Sequence, residues 1–364
     1  MYLSDLDTPA LLIDLDVMEH NLRRVAEYTK THGLRLRPHT KTHKIPALAK
    51  MQLASGAMGL AVAKVGEAEV MTAAEPSDLL VAFPIVGQAK LKRLMPIARK
   101  IRVTVSLDSL IAARQLSEAA QLARISIGVL AEVDVGLGRM GVTPGQELVQ
   151  LAQDMERLPG LIFEGIAVFP GHVRKLDEQG LATLRQVGSL MQQILDDCSR
   201  AGIAIRIVSG GSTPTLFYSH EIPGLNEIRP GTYIYNDMNT VRSGACSLDD
   251  CAASVLVTVV STARPGQMII DGGSKTFSSD LPMNAPERTF GRVVEAPECV
   301  FHNMNEEHGF IDIRNAGRSF TVGDRMRIIP NHICPAVNLH ERVHGIRSGE
   351  VEQIWEVEGR GKLQ

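Results

Sequence analysis

The chain has 364 residues, 44% hydrophobic and 22% charged, with a formal net charge of −3 at pH 7, the composition of a globular protein long enough for a large barrel plus a second domain. That charge, with no basic run, gives no electrostatic reason to expect nucleic acid or an anionic membrane as partner. No stretch approaches the roughly 18 apolar residues of a membrane span; the acidic start MYLSDLD is unlike a secretory signal, and five scattered cysteines fit a cytoplasmic location better than a disulfide framework.

In chain order, ALLIDLD (10–16) predicts a strand ahead of a helix over 17–32. Eight β-rich runs then alternate with helical patterns: LRLRPH (34–39), MGLAVAK (58–64), DLLVAFP (78–84), IRVTVSL (101–107), ISIGVLAEVDV (125–135), LIFEGIAVF (161–169), IRIVSGG (205–211) and EIRPGTYIY (227–235). Stretches such as KLKRLMPIARK and LATLRQVGSLMQQILDDCSRAG between them carry apolar residues at helical spacing. Eight alternations favour a closed (β/α)8 TIM-type barrel over an open doubly wound sheet. After about residue 240 the pattern turns strand-like, through ASVLVTVVSTARPGQMIIDGG, FGRVVEA, HGFIDI and DRMRIIPNHIC. The expected organisation is therefore an α/β barrel over 17–240 and a β-rich domain of 1–16 plus 241–364, its first strand pairing with the C-terminal sheet. The end, GRGKLQ, is expected to fray.

Four segments carry chemistry. RPHTKTHK (37–44) closes the first barrel strand, at the face where such barrels place catalytic groups. A lysine that binds a carbonyl cofactor must project from a rigid element into a partly desolvated pocket; Lys41 and Lys44 both compete, and a basic surface turn is the plain alternative. EVDVGLGRMGV presents Arg139 after two glycines of a tight turn, to donate to an anionic oxygen or to pair with Asp134. VSGGSTPT (208–215) ends a strand in glycines and hydroxyls, an anion cradle placed after the seventh strand, where barrel phosphate sites favour the loops. It nominates Ser209, Gly210, Gly211, Ser212 and Thr213, and EIRPGTYIYND adds Arg229, Gly231, Thr232 and Tyr233. PNHICPAVNL (330–339), read as a strand, puts His332 and Cys334 on one side, within reach of one divalent ion.

DTPALLIDLDVMEHNL, LRPHTKTHK, GLAVAKVGEAEVM and EVDVGLGRMGV together resemble the D-threonine aldolase and D-serine dehydratase group, fold-type III pyridoxal-phosphate enzymes distantly related to alanine racemase. The resemblance runs from about residue 5 to residue 340. It implies that Lys41 carries pyridoxal 5′-phosphate, that Arg139 meets the cofactor's phenolic oxygen, and that His332 and Cys334 hold zinc or manganese, with magnesium a third choice. Phe169 stands where relatives have a ring beside the cofactor, and His172 is either a substrate-contacting base or a turn residue facing solvent. Arg229 resembles the arginine that alanine racemases set against the pyridine nitrogen; a salt bridge to Glu227 or Asp237 is the alternative. DGGSKTFSSD (271–280) matches a recurrent family segment, a loop over the active site near a dimer interface, in which Lys275 has no readable chemistry. The implied activity is a metal-dependent lyase acting on D-β-hydroxy-α-amino acids, a homodimer with a small-molecule substrate. D-threonine aldolase leads, followed by a D-serine or D-threo-3-hydroxyaspartate dehydratase, an amino-acid racemase, and a non-catalytic cofactor-binding protein.

Overall fold

The computed structural model describes residues 1–283 and 285–364. The chain opens with β1 (Ala10–Asp14) and α1 (Leu15–Thr31) and then alternates strands and helices: β2 (Arg35–Leu36), α2 (Pro46–Ala54), β3 (Leu60–Val62), α3 (Val65–Met71), β4 (Asp78–Val81), α4 (Gln88–Ala98), β5 (Arg102–Leu107), α5 (Leu110–Ala123), β6 (Ile127–Val133), α6 (Gln146–Arg157), β7 (Leu161–Val168), α7 (Glu178–Arg200), β8 (Ile207–Gly210) and β9 (Glu227–Ile228). A short helix α8 (Met238–Arg242) leads into β10 (Ala253–Ser261), β11 (Gln267–Ile270), α9 (Ser274–Phe277), β12 (Gly291–Val293), β13 (Val300–Met304), β14 (Gly309–Asp312), β15 (Arg325–Pro330), α10 (Ile333–Leu339), β16 (Arg342–Arg347) and β17 (Glu350–Glu356). Packing divides the chain into two compact units, Met1–Arg23 with Thr232–Arg360 and Arg24–Gly231 with Gly361–Gln364. No helix among the described residues is long and apolar enough to cross a membrane.

The second of these is the α/β unit. Its strands form one parallel sheet in the order β2-β9-β8-β7-β6-β5-β4-β3, and its ends meet, since Ala61 N donates to Pro38 O and His39 pairs with Ala61. The outer helices face the sheet along apolar stripes, as in α7, which buries Leu184, Val187, Gly188, Met191, Ile194 and Cys198. Two of them start at side-chain caps, α5 with Ser109 on Ala112 N–H and α7 with Asp177 on Gly180 N–H. β5 is buried along nearly its whole length although it alternates Arg102, Thr104 and Ser106 with Val103, Val105 and Leu107. Its polar side chains lie among charged partners: Arg102 binds Asp78 and Glu164, Thr104 donates to Glu164, and Ser106 donates to Glu132.

The other unit is mostly antiparallel, in the order β11-β14-β13-β12-β15-β10-β1-β16-β17, with β10 also pairing β11. The expected N-terminal strand takes its place there, with Ala10 opposite Leu256 and Leu12 opposite His344.

Three local expectations need correction. EIRPGTYIY is a strand only at Glu227–Ile228; Pro230 lacks an N–H for the ladder, and Thr232–Ile234 form a turn of 3-10 helix. His332 and Cys334 do not alternate along a strand, because β15 ends at Pro330 and α10 begins at Ile333, whose N–H donates to Asp237. The C-terminal residues have exposed side chains but do not hang free, for Gly66 N donates to the main-chain oxygen of Gln364. The expected boundaries at 16/17 and 240/241 compare with observed ones at 23/24 and 231/232.

Candidate active site

In the α/β unit, the chain leaves β2 through His39 and one 3-10 turn, Thr40–Thr42. Lys41 on that turn is exposed, and among the described residues no carboxylate pairs with it. Lys44 is buried, sits at a left-handed φ of 56°, and places its Nζ 3.3 Å from Glu67. One lysine is thus committed to an internal ion pair and the other is presented to solvent. Lys41 N–H donates to His39 Nδ1 at 3.3 Å, which leaves the His39 ring proton on Nε2. Burial above all, then the charges of Lys41, Arg229, His43 and Arg139, hold the His39 pKa well below the ordinary histidine range.

The glycine-rich end of β8 is built as an anion cradle. Gly211 takes a φ of 79°, Ser212 and Thr213 are buried, and Ser212 Oγ lies 3.1 Å from Thr215 Oγ1. Among the described residues no protein group accepts from the main-chain N–H of Gly211, Ser212, Thr213 or Gly231. A Cβ on Gly231 would stand 2.8 Å from Thr42 Oγ1 and 2.9 Å from His39 O, so only glycine lets this backbone approach the lysine-bearing turn. Gly210 continues the strand in contact with Val168 and Leu225. Open donors beside an unpaired lysine fit the phosphate and carbonyl of pyridoxal phosphate.

Ser209 has another occupation. Its hydroxyl donates to Glu227 at 2.5 Å and accepts from Arg229 Nη1 at 2.8 Å, leaving it nothing to offer a phosphate. Arg229 also donates to Val168 O at 3.3 Å, and burial lowers its pKa, with Glu132 and Glu227 working against that. The alternative of a direct salt bridge to Glu227 or Asp237 does not hold: among the described residues no carboxylate pairs with Arg229, and Glu227 instead meets Arg37 Nη2 at 3.0 Å.

Asp134 accepts from the N–H groups of Gly136, Leu137 and Gly138, and so folds the loop after β6 instead of pairing with Arg139. The Arg139 guanidinium lies over the Phe169 ring, 4.8 Å from its centroid. His172 lies against Gly136, whose Cβ would stand 3.1 Å from the ring, and its Nδ1 is buried without a hydrogen-bond partner. A cavity of about 500 Å³ between α7 and residues 218–223 is lined by none of these groups.

In the β-rich unit, His332 and Cys334 flank the first turn of α10 and remain in contact. His332 Nδ1 is 2.6 Å from Asp280 Oδ2, and Cys334 Sγ is 3.7 Å from Thr232 Oγ1. Burial opposes charge on His332, but the Cys334 sulfur, then Asp237 and Asp280, outweigh it and raise its pKa to about 9. An imidazole and a thiol in surroundings that favour positive charge fit a divalent ion. Among the described residues no set of three His, Cys, Asp or Glu side chains is arranged around one point. Tyr233 is buried in the same unit, beside Thr232. Sequence reasoning missed Asp280 and His39, and it named Glu227 and Asp237 only as salt-bridge partners for Arg229. Asp280 ended a segment already singled out, but nothing in the sequence ties it to a histidine 52 residues away.

The alanine racemase N-terminal-domain family matches residues 13–239, and the serine dehydratase domain family matches residues 252–346. The chain is 33% identical to the D-threonine aldolase of Arthrobacter sp, over 99% of this chain and 94% of that protein. The crystal structure of D-threonine aldolase from Filomicrobium marinum superimposes with a TM-score of 0.92 at 32% identity, covering 100% of this chain and 97% of that one. A cysteine-to-alanine mutant of D-threo-3-hydroxyaspartate dehydratase, solved in the metal-free form, gives 0.88 at 29% identity and covers 98% of each chain.

Proposed function

The chain belongs to the alanine racemase N-terminal-domain family, among its pyridoxal-phosphate lyases of D-β-hydroxy-α-amino acids, and on that premise we propose that it cleaves D-threonine-type substrates to glycine and an aldehyde. The observation that carries the reading is the contrast between two lysines: Lys44 is spent on Glu67, while Lys41 stands unpaired beside the open main-chain donors.

Bound pyridoxal phosphate supplies an electron sink for the charge that develops at Cα. Lys41 would anchor it, and the N–H groups of Gly211, Ser212, Thr213 and Gly231 would hold the phosphate. Arg229, which can only donate, would keep the ring nitrogen unprotonated if set against it, and Ser209 steadies Arg229. Arg139 offers its guanidinium to the phenolic oxygen, and Phe169 holds Arg139 in place. A divalent ion on His332 and Cys334 supplies a Lewis acid for the β-hydroxyl. Loss of the hydroxyl proton lets the Cα–Cβ bond break toward Cα; a proton then returns to Cα to give glycine. His172, whose Nδ1 has no partner in the chain, is the group we assign to proton transfer.

A second reading, a dehydratase, is favoured by the relatives of that activity, since a D-threo-3-hydroxyaspartate dehydratase of Delftia sp. is 30% identical over 96% of this chain. Products decide between them. With D-threonine or D-serine and a divalent metal present, we expect glycine plus acetaldehyde or formaldehyde. A 2-oxo acid plus ammonia means the dehydratase, and no turnover of any D-β-hydroxy-amino acid sinks the lyase. Borohydride reduction of the same holoenzyme should leave the pyridoxyl label on Lys41, and a label on Lys44 would overturn the lysine assignment.

A further inference from the structure

The segment from Asp271 to Asp280 is fastened along its length. Asp271 accepts from Thr258 N–H at 2.8 Å and from the Thr8 hydroxyl at 2.5 Å. In α9, Thr276 O lies 3.2 Å from His340 Nε2, just past the end of α10. At the far end the buried Asn331 donates its side-chain amide to Asp280 O at 3.0 Å and to Thr289 O at 2.6 Å. Asn331 is the residue before His332, and Ile333, the residue after it, is held by Asp237. Lys275, the conspicuous charge of the segment, points away into exposed pairs with Glu306 and Glu307. The fastening therefore delivers one group to one place, the Asp280 carboxylate to His332 Nδ1 at 2.6 Å.

We propose that Asp280 is the positioning residue of the metal pair, accepting the Nδ1 proton of His332 so that the Nε2 lone pair is the one offered to the ion. The inference rests on the reading of His332 and Cys334 as metal ligands. An ionised carboxylate has no proton to give, so at this distance the imidazole donates. With the proton held on Nδ1, the neutral ring has its free lone pair on Nε2, its rotation is stopped, and its basicity rises. A histidine with only one companion ligand depends on this more than one in a closed four-ligand site, since the remaining positions belong to water and substrate and correct nothing.

The test is Zn2+ affinity of the purified holoenzyme, by competition with a chromophoric chelator, for wild type, Asp280→Ala, Asp280→Asn, Asp280→Glu and the distant surface variant Glu298→Gln. We expect roughly 10- to 100-fold weaker binding for Asp280→Ala and Asp280→Asn, partial recovery in Asp280→Glu, and no change in Glu298→Gln. Cofactor absorbance and melting temperature should stay at the wild-type values. In 15N-histidine-labelled protein, a low-field imidazole N–H resonance should vanish in both Asp280→Ala and His332→Ala. Wild-type zinc affinity in Asp280→Ala overturns the proposal; if that variant fails to fold, wild-type affinity in the near-isosteric Asp280→Asn does so. If wild type binds zinc no better than His332→Ala, the metal reading itself fails, a different outcome from the first.

Discussion

His43, two residues beyond Lys41, is fully buried with Nδ1 accepting from Ile45 N–H and Nε2 3.1 Å from Gln52 Oε1. Burial lowers its pKa from the ordinary 6.5 to about 4, although both hydrogen bonds work the other way. Between those values the unfolded chain binds a proton that the native one refuses. Stability from this group is therefore complete above pH 6.5 and lost as pH falls through 4, about 3 kcal/mol in all. His43→Gln removes the titration, so its urea midpoint should fall less steeply than wild type over that range. Equal slopes in the two proteins would contradict the account. The segment around His43 was legible as a motif, and the roles inside it were not. RPHTKTHK shows two lysines, but that Lys44 pairs with Glu67, across a strand and a helix start, is tertiary information.

At the scale of elements, β-rich runs gave away all eight barrel strands, but not the partners of the polar side chains within them. In IRVTVSL the polar side chains are buried among charges that no local pattern announces. Those charges form a continuous string: Arg102 on Asp78, Asp78 on Arg37, Arg37 on Glu227, Glu227 on Ser209, and Ser209 on Arg229. Arg37 is 1% exposed, and although burial opposes its charge, Glu227 and Asp78 raise its pKa above the ordinary arginine value. Glu227→Gln should cost about 3–5 kcal/mol, because it leaves a buried guanidinium short of a counter-charge and slackens the support of Arg229. Lys275→Ala, which removes only exposed pairs, should cost less than about 1 kcal/mol. Urea unfolding of both variants measures this, and equal losses would show that the string carries no such load. Where expected strands overran, the cause is local: Pro38 and Pro230 stop their ladders, and Asp237 captures Ile333 N–H to start a helix where a strand was expected.

For the whole molecule, the eight-fold alternation followed by strands alone announced a barrel with a β-rich companion, and the structure has that fold. The finer boundary was hidden, since residues 232–240 carry no change of composition but pack with the β-rich unit. The α/β unit carries Lys41 and the anion cradle, and the β-rich unit carries His332 and Cys334. The most direct test is chelation of the purified holoenzyme followed by assay with D-threonine. The account predicts that cofactor absorbance persists while cleavage stops, and that adding back a divalent metal restores it. Undiminished cleavage in the chelated, metal-free enzyme would contradict it.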